Sequence, residues 1–235
     1  MRIILNGVVV NSDLPYLDPL VAMLNDDVMG LYGMLDKTDA SGKAGPLVTS
    51  TTFNSLGAVC TNDATGVITT PVYEVDAMTI IAVWNLKEVS GQICNAIANL
   101  SPSAAPYTGL RVATSAAGQD LFQVATGGTT TAVKSINASY TDSWVARAFT
   151  VSASKIAQWS PDGTSVSTTG TTRNKSALPF YVNGYPSSVD VPNHGGFTGQ
   201  IALLGLYNKE YDQATVTALL AKAVAIVQRR GITIS

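Results

Sequence analysis

Hydrophobic positions along this chain come in short runs of four to eight residues, separated by stretches of Gly, Ser, Thr, Asn and Pro. That rhythm predicts β-strands joined by turns. Met78–Asn85 is apolar on both faces, which predicts a central strand covered on both sides. Trp144–Val151 predicts another, with Val145, Phe149 and Val151 on one face and Arg147 interrupting the run. Lys155–Trp159 runs into Ser160-Pro161-Asp162-Gly163, where proline second and glycine fourth predict a type I turn. Leu178–Val182 ends at the turn dipeptide Asn183-Gly184, and Ile201–Tyr207 is a last apolar strand. The polar stretches Ala125–Thr131 and Ser165–Thr172 fill intervals between strands.

One segment breaks this rhythm. After Asp212, a good N-cap, Val216, Leu219, Leu220, Ala223 and Val227 recur at helical spacing. Arg229 and Arg230, whose charges suit the last turn, and then Gly231 close a helix over 212–230. Its apolar side must cap the sheets. At the other end, Ile3–Leu5 and Val8–Val10 flank Asn6-Gly7 and predict a small hairpin. Residues 1–25 are too few to bury a core and form a separate N-terminal attachment segment. Residues 26–235 form a β-sandwich that includes the helix. No internal repeat is evident.

Composition sharpens the picture. Hydrophobic residues make up 46% and charged residues 13% of the 235 residues, enough for a sizeable core. A surface of Ser, Thr, Asn and Gly in place of Lys and Glu suits a protein that packs into an assembly. The net charge of −2 supplies no basic footprint, which excludes nucleic-acid binding. No apolar run approaches the roughly 18 residues of a membrane helix, so no membrane insertion is expected. The apolar start is cut at Asn6-Gly7, so no signal peptide is expected either. Cys60 and Cys94 lie far apart and are expected to be buried free thiols.

The order of these pieces carries a resemblance. Phe197-x-Gly199-x-Ile201, then Leu206-Tyr207-Asn208 and a helix capped at Asp212, resembles the closing motif of concanavalin A-like, laminin-G-like domains. Asp36–Gly42 looks like the early Asp-x-Ser-Gly loop of that family, Met78–Asn85 like its central aromatic-ended strand, and Trp144–Val151 with Ser160–Gly163 like its tryptophan-led hairpin. The resemblance spans about 26–225 and implies an all-β jelly-roll β-sandwich with a short C-terminal amphipathic helix. Low charge, no signal, an apolar N-terminal strand and the ending Arg230–Ser235 also resemble bacteriophage virion proteins built on this sandwich.

Three functions follow as expectations. The first is a non-enzymatic virion structural protein: a capsid decoration, fibre or tail appendage, made in the host cytoplasm. The N-terminal segment would bind other virion proteins, and the sandwich would form a homo-oligomer. The second is a carbohydrate-binding module for a host-surface glycan, with Trp159, Tyr181 and Tyr185, and also Tyr107, as aromatic platforms beside turns. Tyr73, Trp84 and Trp144 are expected in the core. The third is a glycoside hydrolase. Relatives of this fold place Glu-x-Asp-x-x-Glu on one strand face, but here Glu74-x-Asp76-x-x-Thr79 lacks the second glutamate, so no catalytic residue is expected. The single histidine, His194 between Asn193 and Gly195, is expected in an exposed loop, without a nucleophile elbow to serve. Relatives often bind calcium. Asp36 with Asp39, or Asp190 with Asn193, are the weak candidates here, and turn formation is the favoured role of such Asx residues. No other cofactor is expected.

Overall fold

Strand alternation builds two antiparallel seven-stranded sheets that face each other across one apolar layer. The computed structural model describes residues 18–87, 89, 91–114, 119–130, 132–139 and 143–235. The hairpin expected over Ile3–Val10 therefore lies outside the described residues, as do residues 1–17 of the segment 1–25.

The first sheet, sheet A, has the strand order β1 (Val28–Tyr32), β14 (Thr198–Tyr207), β5 (Met78–Lys87), β10 (Val145–Val151), β11 (Lys155–Trp159) and β12 (Ser165–Thr169), with β3 (Ala58–Cys60) also pairing β14. The second, sheet B, runs β2 (Val48–Thr49), β4 (Ile68–Tyr73), β13 (Pro179–Val182), β6 (Cys94–Ala98), β7 (Leu110–Thr114), β8 (Gln119–Ala125) and β9 (Val133–Ser139). The fold is an all-β jelly-roll sandwich, as the sequence pattern predicts. Between the sheets, Phe149 stacks on Trp84 with ring centroids 6.0 Å apart and meets the edge of Phe122 at 5.2 Å. Ile80, Phe180, Val182, Ile201 and Leu204 fill the rest. Cys60 and Cys94 are both buried there as free thiols, and burial pushes the Cys60 thiol up to about 12.

A second apolar layer lies outside sheet A. Helix α1 spans Gln213–Gln228, with the Asp212 carboxylate accepting the Thr215 amide at 2.9 Å. Val216, Leu219, Leu220, Ala223, Ile226 and Val227 are buried against the sheet. Ala146, Ala148 and Ala157 give that face of the sheet a shallow floor, so the helix can lie close. Each large apolar side chain buried here contributes about 1.5–3 kcal/mol. The 3₁₀ turn Pro19–Met23 packs into the same layer through Leu20 and Met23.

Three expectations change. Tyr73 is 54% exposed, because it sits on the outward parity of β4 next to exposed Pro71. Ser165–Thr169 is a strand, paired with β11 along five positions. Its side chains are almost all exposed, so no apolar alternation marks it. Arg230 does more than complement the helix end. Its Nη1 donates to the Gly33 carbonyl at 2.7 Å and the Ala202 carbonyl at 2.9 Å, tying the helix terminus to sheet A.

Candidate functional site

At one end of the sandwich three segments converge: 61–67 between β3 and β4, 91–93 before β6, and 183–197 between β13 and β14. Asn183 is the clamp. Its amide is 1% exposed, and the backbone takes the left-handed conformation at φ 61°. Its Nδ2 donates to the Thr61 carbonyl at 2.9 Å and the Gly66 carbonyl at 3.1 Å, while Oδ1 accepts the Phe197 amide at 2.7 Å. Gly184 follows at φ 91°, where any side chain would meet the His194 carbonyl at 2.6 Å. One asparagine thus holds both loops to the end of β13.

Above this clamp lies a cleft of about 350 Å³ lined by Asn62, Asp63, Gln92, Ser187, His194 and the backbone of Gly195-Gly196, with Tyr185 beside them. Asn62 Oδ1 accepts the Gly196 amide at 2.9 Å, and its Nδ2 donates to Gln92 Oε1 at 3.3 Å, which joins the three loops across the cleft. Thr65 donates to Asp63 from hydroxyl and amide and holds its carboxyl below the usual range, so it is an ionised acceptor at neutral pH. His194 Nε2 donates to the Val189 carbonyl at 2.9 Å, which fixes the ring at the cleft. Amide, carboxylate, hydroxyl and imidazole groups converge on one space, a set suited to a ligand rich in hydroxyl groups.

The structure brings Tyr185, Asn193 and His194 together here. Tyr185 is 3% exposed and its hydroxyl donates to the Leu100 carbonyl at 3.2 Å. It forms a small apolar cluster with Tyr181, Ala98, Val67 and Val191, and the two tyrosine rings lie 5.4 Å apart. Burial pushes both hydroxyls up, so they remain neutral donors. Trp159 lies elsewhere, buried in the layer with α1. Its Nε1 donates to Thr150 Oγ1 at 3.0 Å, and Lys155 Nζ sits 4.7 Å from the ring centroid. Tyr107 is half-buried, with its carbonyl accepting from Asn174. Asn62, Asp63, Gln92 and Ser187 carry no local signal, because only the fold brings their loops together.

The calcium candidates are spread out. Asp36 is exposed and accepts the Thr38 amide at 2.7 Å in a turn. Asp39 is nearly buried, and its carboxylate accepts from the amides of Leu31, Ser41, Ala44 and Gly45 and from the Ser41 hydroxyl. Burial works to raise its pKa, but these donors outweigh it and hold the carboxyl below its ordinary value. Such a carboxylate is engaged by the protein itself. Asp190 accepts the Ser103 amide at 3.1 Å, and Asn193 Oδ1 accepts the Gly195 amide at 2.8 Å. Among the described residues no group of three or more His, Cys, Asp or Glu side chains is placed to hold a metal ion.

The partial hydrolase motif is pulled apart. Glu74 is buried, paired with Arg173, and accepts from Asn99 Nδ2 and the Ser176 amide. Burial draws the Arg173 pKa down to about 10, which still leaves it charged at neutral pH. Asp76 is at the surface with Lys175 2.7 Å away. Thr79 is fully buried, where its hydroxyl donates to the Lys209 carbonyl at 2.7 Å.

No family model and no curated protein matches this chain. Solved structures do. The receptor binding domain of botulinum neurotoxin type G superposes with a TM-score of 0.63 at 12% identity, covering 85% of this chain and 52% of that one. The ligand binding domain of botulinum neurotoxin serotype D, solved with N-acetylneuraminic acid, gives 0.62 at 12% identity and covers 86% and 52%. Trypanosoma rangeli sialidase, solved with sialic acid, gives 0.64 at 14% identity and covers 86% and 34%. The chain spans about half the length of those binding domains and about a third of the sialidase. At these identities the likeness is one of fold.

Proposed function

We propose that this protein is a carbohydrate-binding module that performs no chemistry on its ligand. The observation that carries the reading is the cleft in which Asn62, Asp63, Gln92, Ser187 and His194 converge beside Gly195-Gly196. Planar amides and an ionised carboxylate pair with sugar hydroxyls as donors and acceptors, and the ligand needs no charge of its own. Two of the matched proteins, a botulinum neurotoxin ligand binding domain and a sialidase, were solved in complex with N-acetylneuraminic acid or sialic acid, which supports a glycan as the ligand class. Against hydrolysis, Glu74 is locked to Arg173 inside the fold while Asp76 faces solvent, so this strand offers no pair of carboxyls flanking a glycosidic bond. A glycan array tests the reading. Discrete hits that vanish in an Asn62→Ala/Gln92→Ala variant are expected, and a blank array with folded protein overturns it.

A second reading, a virion structural protein, draws on β12. This edge strand is paired on one side only, and its sequence, Ser-Val-Ser-Thr-Thr, carries none of the charges that usually guard a strand edge. Such an edge can accept a strand from a neighbouring subunit, with residues 1–25 as the attachment segment. Light scattering on the full chain and on one lacking residues 1–17, which keeps the buried Leu20 and Met23, separates the readings. An oligomer that becomes monomeric on truncation favours assembly.

A further inference from the structure

One row of side chains crosses the whole outer face of sheet B. In register, Val48 pairs with Thr69, Thr69 with Tyr181, Tyr181 with Ala98, Ala98 with Arg111, Arg111 with Gln123, and Gln123 with Ser135. Their strand neighbours Ile68, Phe180, Val182, Leu110, Val112, Phe122, Val124 and Ile136 all point into the core, so this row points out. The loop 183–197 covers the half over β13 and β6. Over β8 and β9 the row is open, with Gln123 half-exposed and Ser135 exposed.

Arg111 sits where cover gives way to opening, and it is 8% exposed. Its Nε donates to Gln123 Oε1 at 2.6 Å, and Gln123 Nε2 donates on to Ser135 Oγ at 3.1 Å. The tyrosines 185 and 107 are its electrostatic neighbours, and burial draws its pKa down. Among the described residues no carboxylate pairs with it, and no other hydrogen bond holds its terminal nitrogens. Gln123 and Ser135 beside it are open to solvent, so a ligand can reach the row from that side. The contrast with the two other anchored arginines is direct. Arg173 has Glu74, and Arg230 has two backbone carbonyls. A largely buried guanidinium whose described neighbours are all neutral is costly in the free protein and favours an anion that relieves it.

We propose that Arg111 is the anion-recognising residue of a second ligand site on the outer face of sheet B, where its terminal nitrogens take the carboxylate of an acidic sugar. Ser135 and Gln123 lie beside it for the sugar hydroxyls. A single guanidinium among amide and hydroxyl groups matches a singly charged carboxylate better than a phosphate dianion. The sugar scaffold rests on the glycan reading above; the anion site rests on Arg111 alone.

The test is an NMR titration of the full chain with glucuronic acid, its methyl ester and inorganic sulfate, repeated on Arg111→Gln, Arg111→Lys and Asn62→Ala/Gln92→Ala. The acid is expected to bind the wild type and to lose roughly ten- to hundredfold in affinity on esterification or in Arg111→Gln. Arg111→Lys keeps the charge without the fork and is expected to fall between. The cleft variant should bind the acid as the wild type does. Without ligand, Arg111→Gln should melt no lower than wild type, since it removes an uncompensated charge. Equal binding of acid and ester, unchanged binding in Arg111→Gln, or a large drop in its melting temperature overturns the proposal. Sulfate binding as tight as the acid overturns the sugar assignment and leaves a site for simple anions. If neutral glycans bind the cleft while the acid binds nowhere, this inference fails alone. If the acid binds at Arg111 and no neutral glycan binds the cleft, the cleft reading fails alone.

Discussion

The outer faces of the two sheets are built by the same alternation and finished in opposite ways. Sheet A presents small and apolar residues outward, among them Ala146, Ala148, Ala157 and Val83, and a helix lies across them. Sheet B presents Thr69, Arg111, Gln123 and Ser135 outward, and covers part of that face with loops stapled by polar side chains. An apolar face must be covered to be stable, whereas a polar face can stay open to a ligand. On the proposed reading, the covered A face serves packing alone, while the B face and the loops that extend from it serve recognition and are held in place by buried polar anchors.

Perturbing the anchors of each side should break this contrast in graded steps. The largest effect belongs to Glu74, which holds Arg173 and the segment around it. Asn174 of that segment bonds the carbonyl of Tyr107 and receives the Gly109 amide, so the anchor supports the β6–β7 loop on the B side. Glu74→Gln leaves a buried guanidinium without its counter-charge and should cost about 4 kcal/mol in chemical denaturation. On the A side, Leu220→Ala opens a cavity under α1 and should cost about 3 kcal/mol by the same measurement, with no change in glycan affinity.

Asp39→Asn should cost about 2 kcal/mol at neutral pH, because an amide cannot accept from all the donors that surround the carboxylate. The Asp39 pKa is lowered in the folded state, so its stabilisation is complete above the unfolded value of about 3.9 and disappears as pH falls through the folded value. The gap between wild type and Asp39→Asn in urea melts should therefore narrow as pH falls below the unfolded value of about 3.9. The smallest stability effect belongs to Asn62→Ala/Gln92→Ala, two partly solvated side chains whose loss should shift stability by less than about 1 kcal/mol. This variant sharpens the contrast, since binding should be lost while folding is kept.

The A side was largely legible in the sequence, and the B-side site was not. Val216, Leu219, Leu220, Ala223 and Val227 at helical spacing behind Asp212 leave α1 little alternative, and Met78–Asn85, apolar on both faces, has to be central. The strand β12 was hidden because neither of its faces is buried, so periodicity had nothing to mark. Tyr73 looked like core because its strand is, but parity turns it outward. The Asn183-Gly184 turn was legible, yet its role was not. The partners of Asn183 at Thr61 and Gly66 lie 122 and 117 residues away in sequence. Gln92 meets Asn62 for the same topological reason. Arg111 gave no signal at all, because its neighbours across the sheet are visible only once the strands are paired.

The most direct test of the central claim is an amide-resolved NMR titration with the strongest neutral hit of a glycan array. The account predicts saturable shifts at Gly195, Gly196, Gln92 and Asn62, no cleavage of the glycan, and loss of the shifts in Asn62→Ala/Gln92→Ala. Shifts confined to other parts of the surface, or a glycan slowly hydrolysed in the tube, would contradict it.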